Sequence, residues 1–153
     1  MIISSYGLSL LLAIIACVIG GVLGGLTLAR PGSVLGLTAL DEDDGAGDEA
    51  PAGARVADKT EGRALGSLLI LSHAAAALFL GYQSHVGAAM AFALAMAWLG
   101  AALGRAVSAL VDRARDRLNL GSLAFEILIA VTLSLPFFNA GRLVVLRGHG
   151  MLV

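Results

Sequence analysis

The feature that most restricts the fold of this chain is a long stretch without charge, because residues 64–104 contain no Asp, Glu, Lys or Arg. A single helix over this stretch would be about 60 Å long at 1.5 Å per residue, roughly twice the thickness of the hydrocarbon core of a bilayer. The stretch is therefore predicted to hold two membrane spans, at about 64–80 and about 86–104. The polar break at residues 81–85 supplies the turn between them.

Two further apolar stretches flank this region. Residues 5–29 form an uncharged run that ends at Arg30, and residues 120–140 form the last run, which contains Glu126. The chain is 58% hydrophobic and 14% charged, with a mean hydropathy of +0.89, whereas soluble domains are about half apolar and a quarter charged. The sequence therefore predicts an all-α integral membrane protein, a four-helix bundle that forms a single domain over residues 1–153.

The connections between the predicted spans differ in composition. Residues 30–62 are predicted to form a loop whose acidic block, residues 41–49, is too polar to bury a core. A weak cation or partner site there is the alternative, although the carboxylate spacing does not fit a calcium loop. Residues 105–119 are amphipathic, which predicts an interfacial helix between the third and fourth spans, with an extension of the third span as the alternative. Pro136 is expected to kink the fourth span or mark its final turn, and the tail, 141–153, is expected to be interfacial.

Basic residues are distributed unevenly between the two sides that this topology defines. Of the ten Lys and Arg residues, only Arg142 and Arg147 lie outside the loops that follow the first and third spans. Under the positive-inside rule, both long loops are cytoplasmic and both termini lie outside. The predicted location is the bacterial cytoplasmic membrane.

One carboxylate, Glu126, lies within the fourth span. A charge at that depth costs several kcal/mol by most estimates, so it needs a partner or a function. Arg63 at the start of the second span and Arg105 at the end of the third are predicted to lie on the same side of the membrane, within reach of a long side chain. The three residues are interpreted either as a lock between helices or as a cytoplasm-facing pocket for a polar head group or an ion. A protonated, unpaired Glu126 is the remaining alternative.

A second polar position lies near the middle of the second span, where His73 follows Ser72. A lone histidine at such depth is more often a neutral hydrogen-bonding residue between helices than a ligand or a proton carrier. The sequence leaves open a proton relay between His73 and Glu126.

Two sets of small residues indicate faces on which helices approach closely. The first set forms two overlapping GxxxG pairs in the first span: Gly20, Gly21, Gly24 and Gly25. The second set recurs at every fourth position of the third span: Ala89, Ala93, Ala97 and Ala101. Both are predicted to pack against other helices of the same chain, with homodimerisation through the glycines as the alternative.

Short motifs at the ends of the spans resemble a known family. They are EGRALGS at residues 61–67, GRAVS at residues 104–108, RPG at residues 30–32, and Glu126 in the fourth span. Their order and spacing, over most of residues 20–135, resemble the domain of unknown function 4345 family. Its members are small bacterial four-helix membrane proteins, loosely similar to the DoxX-like group.

The resemblance implies a four-helix bundle and the set of Arg63, Arg105 and Glu126. It implies no reaction, because the family carries no established activity. The chain departs from the family pattern in the length of its acidic insertion, residues 41–54, and at Ser67, where the family often has a second glycine.

The function that the sequence favours is non-enzymatic. We expect an accessory subunit of a larger membrane complex or of a homo-oligomer, or a protein that binds a small ligand or a lipid head group. The alternative is a membrane enzyme or proton-coupled carrier that uses Glu126 and His73, but an enzyme needs several convergent polar groups. Outside the charged cluster the spans offer only His73, Ser72 and Asn139, and no catalytic residue is assigned. The sequence shows no metal-binding, cofactor-binding or nucleic-acid-binding motif.

Overall fold

The computed structural model describes residues 5–30, 52–111 and 117–149. Within these ranges, only the backbone is described at residues 52–58, 108, 117–119 and 141–149. The described residues form four helices and no strand, which confirms the all-α prediction for this part of the chain. The helices are α1 (Ser5–Ala29), α2 (Ala52–Tyr82), α3 (Ser84–Val111) and α4 (Arg117–His149).

Each helix contains a segment that is long and apolar enough to cross a membrane. These segments are Ser5–Ala29, Lys59–Tyr82, Ser84–Val111 and Leu120–Ala140. They agree with the four spans predicted from the distribution of charge, to within a few residues at most boundaries. Many of their large apolar side chains are exposed, and Leu71 on α2 is 70% exposed.

One predicted boundary was wrong. Residues 52–62 were predicted to be part of a loop, but α2 begins at Ala52. Ala, Arg, Lys and Glu favour helix in water as well as in a membrane, so hydropathy does not reveal a polar first part of a helix. The fourth span, Leu120–Ala140, has the predicted bounds, although helix α4 itself continues to His149, so Pro136 does not mark its final turn. The acidic block, residues 41–49, lies outside the described residues.

The turn between α2 and α3 is shorter than the predicted five-residue break. Gln83 alone separates the helices, and its amide donates a hydrogen bond to the Phe79 carbonyl at 2.8 Å. The Gly87 amide donates to the Gln83 carbonyl at 2.9 Å. A Cβ atom at Gly87 would collide with the backbone of Phe79 and Leu80, so this turn requires a residue without a side chain. Residues 105–111 continue α3 to Val111, which agrees with an extension of the third span. The predicted separate interfacial helix between the third and fourth spans is wrong for these residues, and residues 112–116 lie outside the described part of the chain.

The chain divides into two compact units, one formed by Val18–Ala74 and the other by Met1–Cys17 together with Ala75–Val153. In the first unit, α1 packs against α2 through glycines. A Cβ atom at Gly24 would lie 2.8 Å from the Gly66 carbonyl oxygen, and one at Gly66 would lie 2.7 Å from the Gly24 carbonyl oxygen. Such an approach of two backbones is the contact that GxxxG pairs permit.

The two GxxxG pairs of α1 have different surroundings. Gly20 and Gly24 face α2, whereas a Cβ atom at Gly21 or Gly25 would meet nothing within 4 Å. Only the first pair therefore packs within the described chain.

In the second unit, α3 packs against α4 along a seam of buried side chains. On α3 the seam alternates three-residue and four-residue steps through Ala88, Ala91, Ala95, Trp98 and Ala102. On α4 it follows the same steps through Glu126, Ile129, Leu133 and Pro136. This spacing is that of a coiled-coil seam. The helices are antiparallel, because Phe92 stacks on Phe137 while Arg105 pairs with Glu126.

The alanines predicted to pack on α3 lie on another face of that helix. Ala89, Ala93, Ala97 and Ala101 are exposed, while the alanines of the seam are buried. Alanine occupies so many positions of α3 that several small-residue stripes coexist on it. Close packing of the predicted stripe stays a prediction that would require a partner outside the described residues.

Candidate functional site

The candidate site is an ion pair in the seam between α3 and α4. The Nε atom of Arg105 donates a hydrogen bond to Oε1 of Glu126 at 2.6 Å. Arg105 continues the α3 seam one step beyond Ala102, and Glu126 stands opposite it on the antiparallel helix. A hydrogen bond between two charged groups is short and about twice as strong as one between neutral groups. Two of the three residues of the predicted cluster are thus in contact.

The two partners differ in their access to the surroundings. The Glu126 side chain is 0% exposed, whereas that of Arg105 is 21% exposed. Within the described residues, the Oε2 atom of Glu126 is buried and has no hydrogen-bond partner. Over the same part of the chain, Arg105 bonds only through Nε, which leaves the Nη1 and Nη2 groups to other partners. The site therefore combines a buried acceptor with partly accessible donors.

Two aromatic side chains that lie near the ion pair in the sequence contact each other between α3 and α4. Trp98, which is 4% exposed, meets Phe125 edge to face with ring centroids 6.3 Å apart. Phe125 directly precedes Glu126, and Trp98 lies two seam steps before Arg105. Glu126 itself is 0% exposed, and away from water both electrostatic attraction and the cost of an unpaired charge are larger. Removing one partner of a buried pair typically costs about 3–5 kcal/mol.

Arg63, the third predicted member of the cluster, lies on α2 in the unit Val18–Ala74, whereas the ion pair lies in the other unit. Its side chain is exposed, and its carbonyl accepts a hydrogen bond from the Ser67 hydroxyl at 2.9 Å. Its membership of the cluster stays a prediction.

His73 is buried on α2, with 1% of its surface exposed. Its Nδ1 atom donates to the Leu69 carbonyl at 2.8 Å, since a carbonyl oxygen can only accept, and this assigns the ring hydrogen to Nδ1. The opposite edge of the ring faces α1, where a Cβ atom at Gly20 would collide with Nε2 and Cδ2. Ser72 donates to the same carbonyl at 3.3 Å, and its hydroxyl lies 3.4 Å from Nδ1.

This arrangement favours packing as the role of His73, because Nε2 lies against the backbone of α1. A proton-transfer role for His73 and Ser72 stays a prediction. Among the described residues, no group of three His, Cys, Asp or Glu side chains could hold a metal ion.

The sequence reasoning missed the aromatic contact between Trp98 and Phe125. The signal was present, because Trp98 and Arg105 are separated by the seven-residue repeat of a coiled-coil seam. It also missed Tyr6, whose hydroxyl is buried without a hydrogen-bond partner among the described residues. A tyrosine near a helix end is common in membrane proteins, so that residue type alone gave no signal.

Comparisons with protein-family models, curated proteins and solved structures give no match to this chain. The resemblance to the domain of unknown function 4345 family therefore stays a prediction based on the short motifs.

Proposed function

We propose that this protein is a multi-pass protein of the bacterial cytoplasmic membrane in which Arg105, held by Glu126, binds the phosphate of an anionic lipid head group. In this proposal the four helices form a membrane bundle with both termini outside. The resemblance to the family of small four-helix membrane proteins is part of the same proposal. The protein is non-enzymatic, and its ligand is a component of the bilayer.

The observation that carries the proposal is the asymmetry of the ion pair. Glu126 is fully buried, and within the described part of the chain its hydrogen-bond donor is the Nε atom of Arg105, whose side chain remains 21% exposed. A guanidinium presents its donors in a planar fork that matches the oxygens of a phosphate. Fixing Nε on a buried carboxylate orients this fork before a ligand arrives, which lowers the entropic cost of binding.

The position of Arg105 along its helix supports a head group as the ligand. About 20 helical residues cross the hydrocarbon core, and Arg105 follows a run of that length from Ser84 in α3. Arginine at this level can reach the phosphate layer. The predicted cytoplasmic loops add more positive charge on the same side, which attracts anionic lipids.

Membership of a larger membrane complex or homo-oligomer is the second candidate. One observation favours it: the small-residue stripe Ala89, Ala93, Ala97 and Ala101 on α3 is exposed. Such stripes suit close contact with another helix. The alternative of a membrane enzyme or proton-coupled carrier that uses Glu126 and His73 stays a prediction from the sequence.

The test measures lipid binding by the purified protein in lipid nanodiscs or by native mass spectrometry. We expect retention of phosphatidylglycerol over phosphatidylcholine, and about a tenfold or greater loss of this preference in Arg105→Gln, since charge-assisted hydrogen bonds contribute roughly 1.5–3 kcal/mol. Arg30→Gln is the matched control, because it removes an arginine at the end of α1 and should keep the preference.

A second arm adds inorganic phosphate to the protein in neutral detergent. This arm distinguishes binding of the whole lipid from binding of the phosphate group alone. Equal preference for the two lipids in the wild type, or an equal loss in both variants, would contradict the proposal.

A further inference from the structure

We propose that the ligand held by Arg105 is a phosphodiester whose alcohol carries a hydroxyl group, and that this hydroxyl donates a hydrogen bond to Oε2 of Glu126. The inference rests on the proposed function and deepens it, because it names the feature by which the protein selects among anionic head groups. Phosphatidylglycerol has this chemistry, since its phosphate is esterified to a glycerol with free hydroxyl groups.

The first observation is a carboxylate oxygen without a donor. Oε1 of Glu126 accepts from Nε of Arg105 at 2.6 Å, whereas Oε2 is buried and has no hydrogen-bond partner among the described residues. Buried polar atoms nearly always have a partner in native proteins, so an exception calls for an explanation. A carboxylate in an ion pair is an acceptor only. The partner that Oε2 requires is therefore a donor, and a hydroxyl group of the ligand is one.

The second observation is the position of this oxygen relative to the free donors of Arg105. Oε2 shares a carbon with Oε1, and the Nη groups share a carbon with Nε. The contact of 2.6 Å between Nε and Oε1 therefore brings Oε2 and the Nη groups to neighbouring positions. A ligand whose phosphate binds the Nη groups has its alcohol within reach of Oε2. In phosphatidylglycerol the nearest hydroxyl lies on the carbon next to the ester carbon, which suits this short separation.

The third observation concerns access to Oε2. Glu126 is 0% exposed, whereas its hydrogen-bond donor Arg105 is 21% exposed. Arg105 is thus the member of the pair that a head group meets first, and Oε2 becomes accessible as the guanidinium turns toward the phosphate. Side-chain changes of this kind are common on binding. A head group without a hydroxyl would leave the acceptor unpaired, and sites that bond a hydroxyl reject analogues that lack it.

The experiment compares two lipids on the full chain in nanodiscs. Phosphatidylglycerol and phosphatidylethanol carry the same single negative charge and are used with the same acyl chains, but the ethyl ester has no hydroxyl group. We expect the wild type to bind phosphatidylglycerol about tenfold or more tightly, the effect of one hydrogen bond to a charged group. Equal affinity for these two lipids, with both above phosphatidylcholine, would overturn the hydroxyl contact and leave the proposed function standing. Absence of a preference for either lipid over phosphatidylcholine would overturn the proposed function itself.

A second measurement assigns the hydroxyl contact to Glu126. In Glu126→Gln the amide oxygen still accepts from Arg105, but an NH2 group replaces Oε2, so the ratio of the affinities for the two anionic lipids should fall severalfold toward one. This ratio compares two lipids on one protein and is independent of the overall affinity. Glu61→Gln is the matched control, because Glu61 is an exposed carboxylate on α2 and its removal should keep the ratio. An unchanged ratio in Glu126→Gln, or its loss in Asp112→Asn or Asp116→Asn instead, would overturn the assignment to Oε2.

Discussion

The contact between α1 and α2 gives a prediction with a control on the same helix. An alanine Cβ at Gly24 would lie 2.8 Å from the Gly66 carbonyl oxygen, 2.8 Å from the Leu69 Cβ and 2.9 Å from the Ile70 amide nitrogen. Two of these atoms belong to backbone, so no rotamer change relieves the clash and the helices must separate. Overpacking of this kind costs about 1–3 kcal/mol.

The neighbouring Gly25 supplies the control, because a Cβ there would meet nothing within 4 Å. Replacing glycine by alanine in a helix is favourable by up to about 1 kcal/mol at either position. This contribution cancels in the difference between Gly24→Ala and Gly25→Ala. We therefore expect Gly24→Ala to be less stable than Gly25→Ala by about 1–3 kcal/mol.

The free energy of unfolding can be measured by adding sodium dodecyl sulfate to protein in mild detergent and following circular dichroism. Equal stability of the two variants, to within about 0.5 kcal/mol, would refute the close approach of the helices at Gly24.

Two further predictions concern other parts of the described chain. Gly87→Ala should lower the free energy of unfolding by about 1–3 kcal/mol in the same assay, because its Cβ would collide with backbone in the turn between α2 and α3. Gly81→Ala is the control, since a Cβ at Gly81 would meet open space. Equal effects of the two substitutions would argue against the tight turn. His73→Leu should cost less than about 1.5 kcal/mol, because a side chain of similar volume preserves the packing, and it should leave lipid binding unchanged; loss of binding would instead assign His73 to the function.

The positions of the four helices that are long and apolar enough to cross a membrane could be predicted because the cost of a charge in hydrocarbon is large. Uncharged runs such as residues 64–104 leave few alternatives to spanning helices. The start of α2 at Ala52 could not be obtained in this way, since its first residues are polar and form a helix through their backbone propensity. Hydropathy reports where a helix can enter a membrane and gives no information on where the helix begins.

The packed face of α3 could not be predicted because alanine occurs on nearly every side of that helix. The stripe through Ala89 and Ala93 and the seam through Ala88 and Ala91 have the same composition. Trp98 distinguishes the two spacings, whereas Arg105 continues both of them.

The contact of Arg105 with Glu126 could be predicted, since a buried carboxylate in a span needs a cation and few are available. The choice between Arg105 and Arg63 depends on how the helices turn about their axes, and the sequence leaves that open. Among the described residues Oε2 has no hydrogen-bond partner, and this depends on the angle at which the guanidinium approaches, which no sequence pattern encodes.

The proposed site requires that Arg105 and Glu126 stabilise each other in the seam between α3 and α4. A double-mutant cycle with Arg105→Ala, Glu126→Ala and the double variant measures this directly as a coupling free energy of unfolding. Arg105→Ala alone leaves a buried carboxylate without its cation and should cost about 3–5 kcal/mol. The double variant should lose less than the sum of the single losses, by about 1–3 kcal/mol. Losses that add to within about 0.5 kcal/mol would contradict the pairing and, with it, the site proposed for the head group.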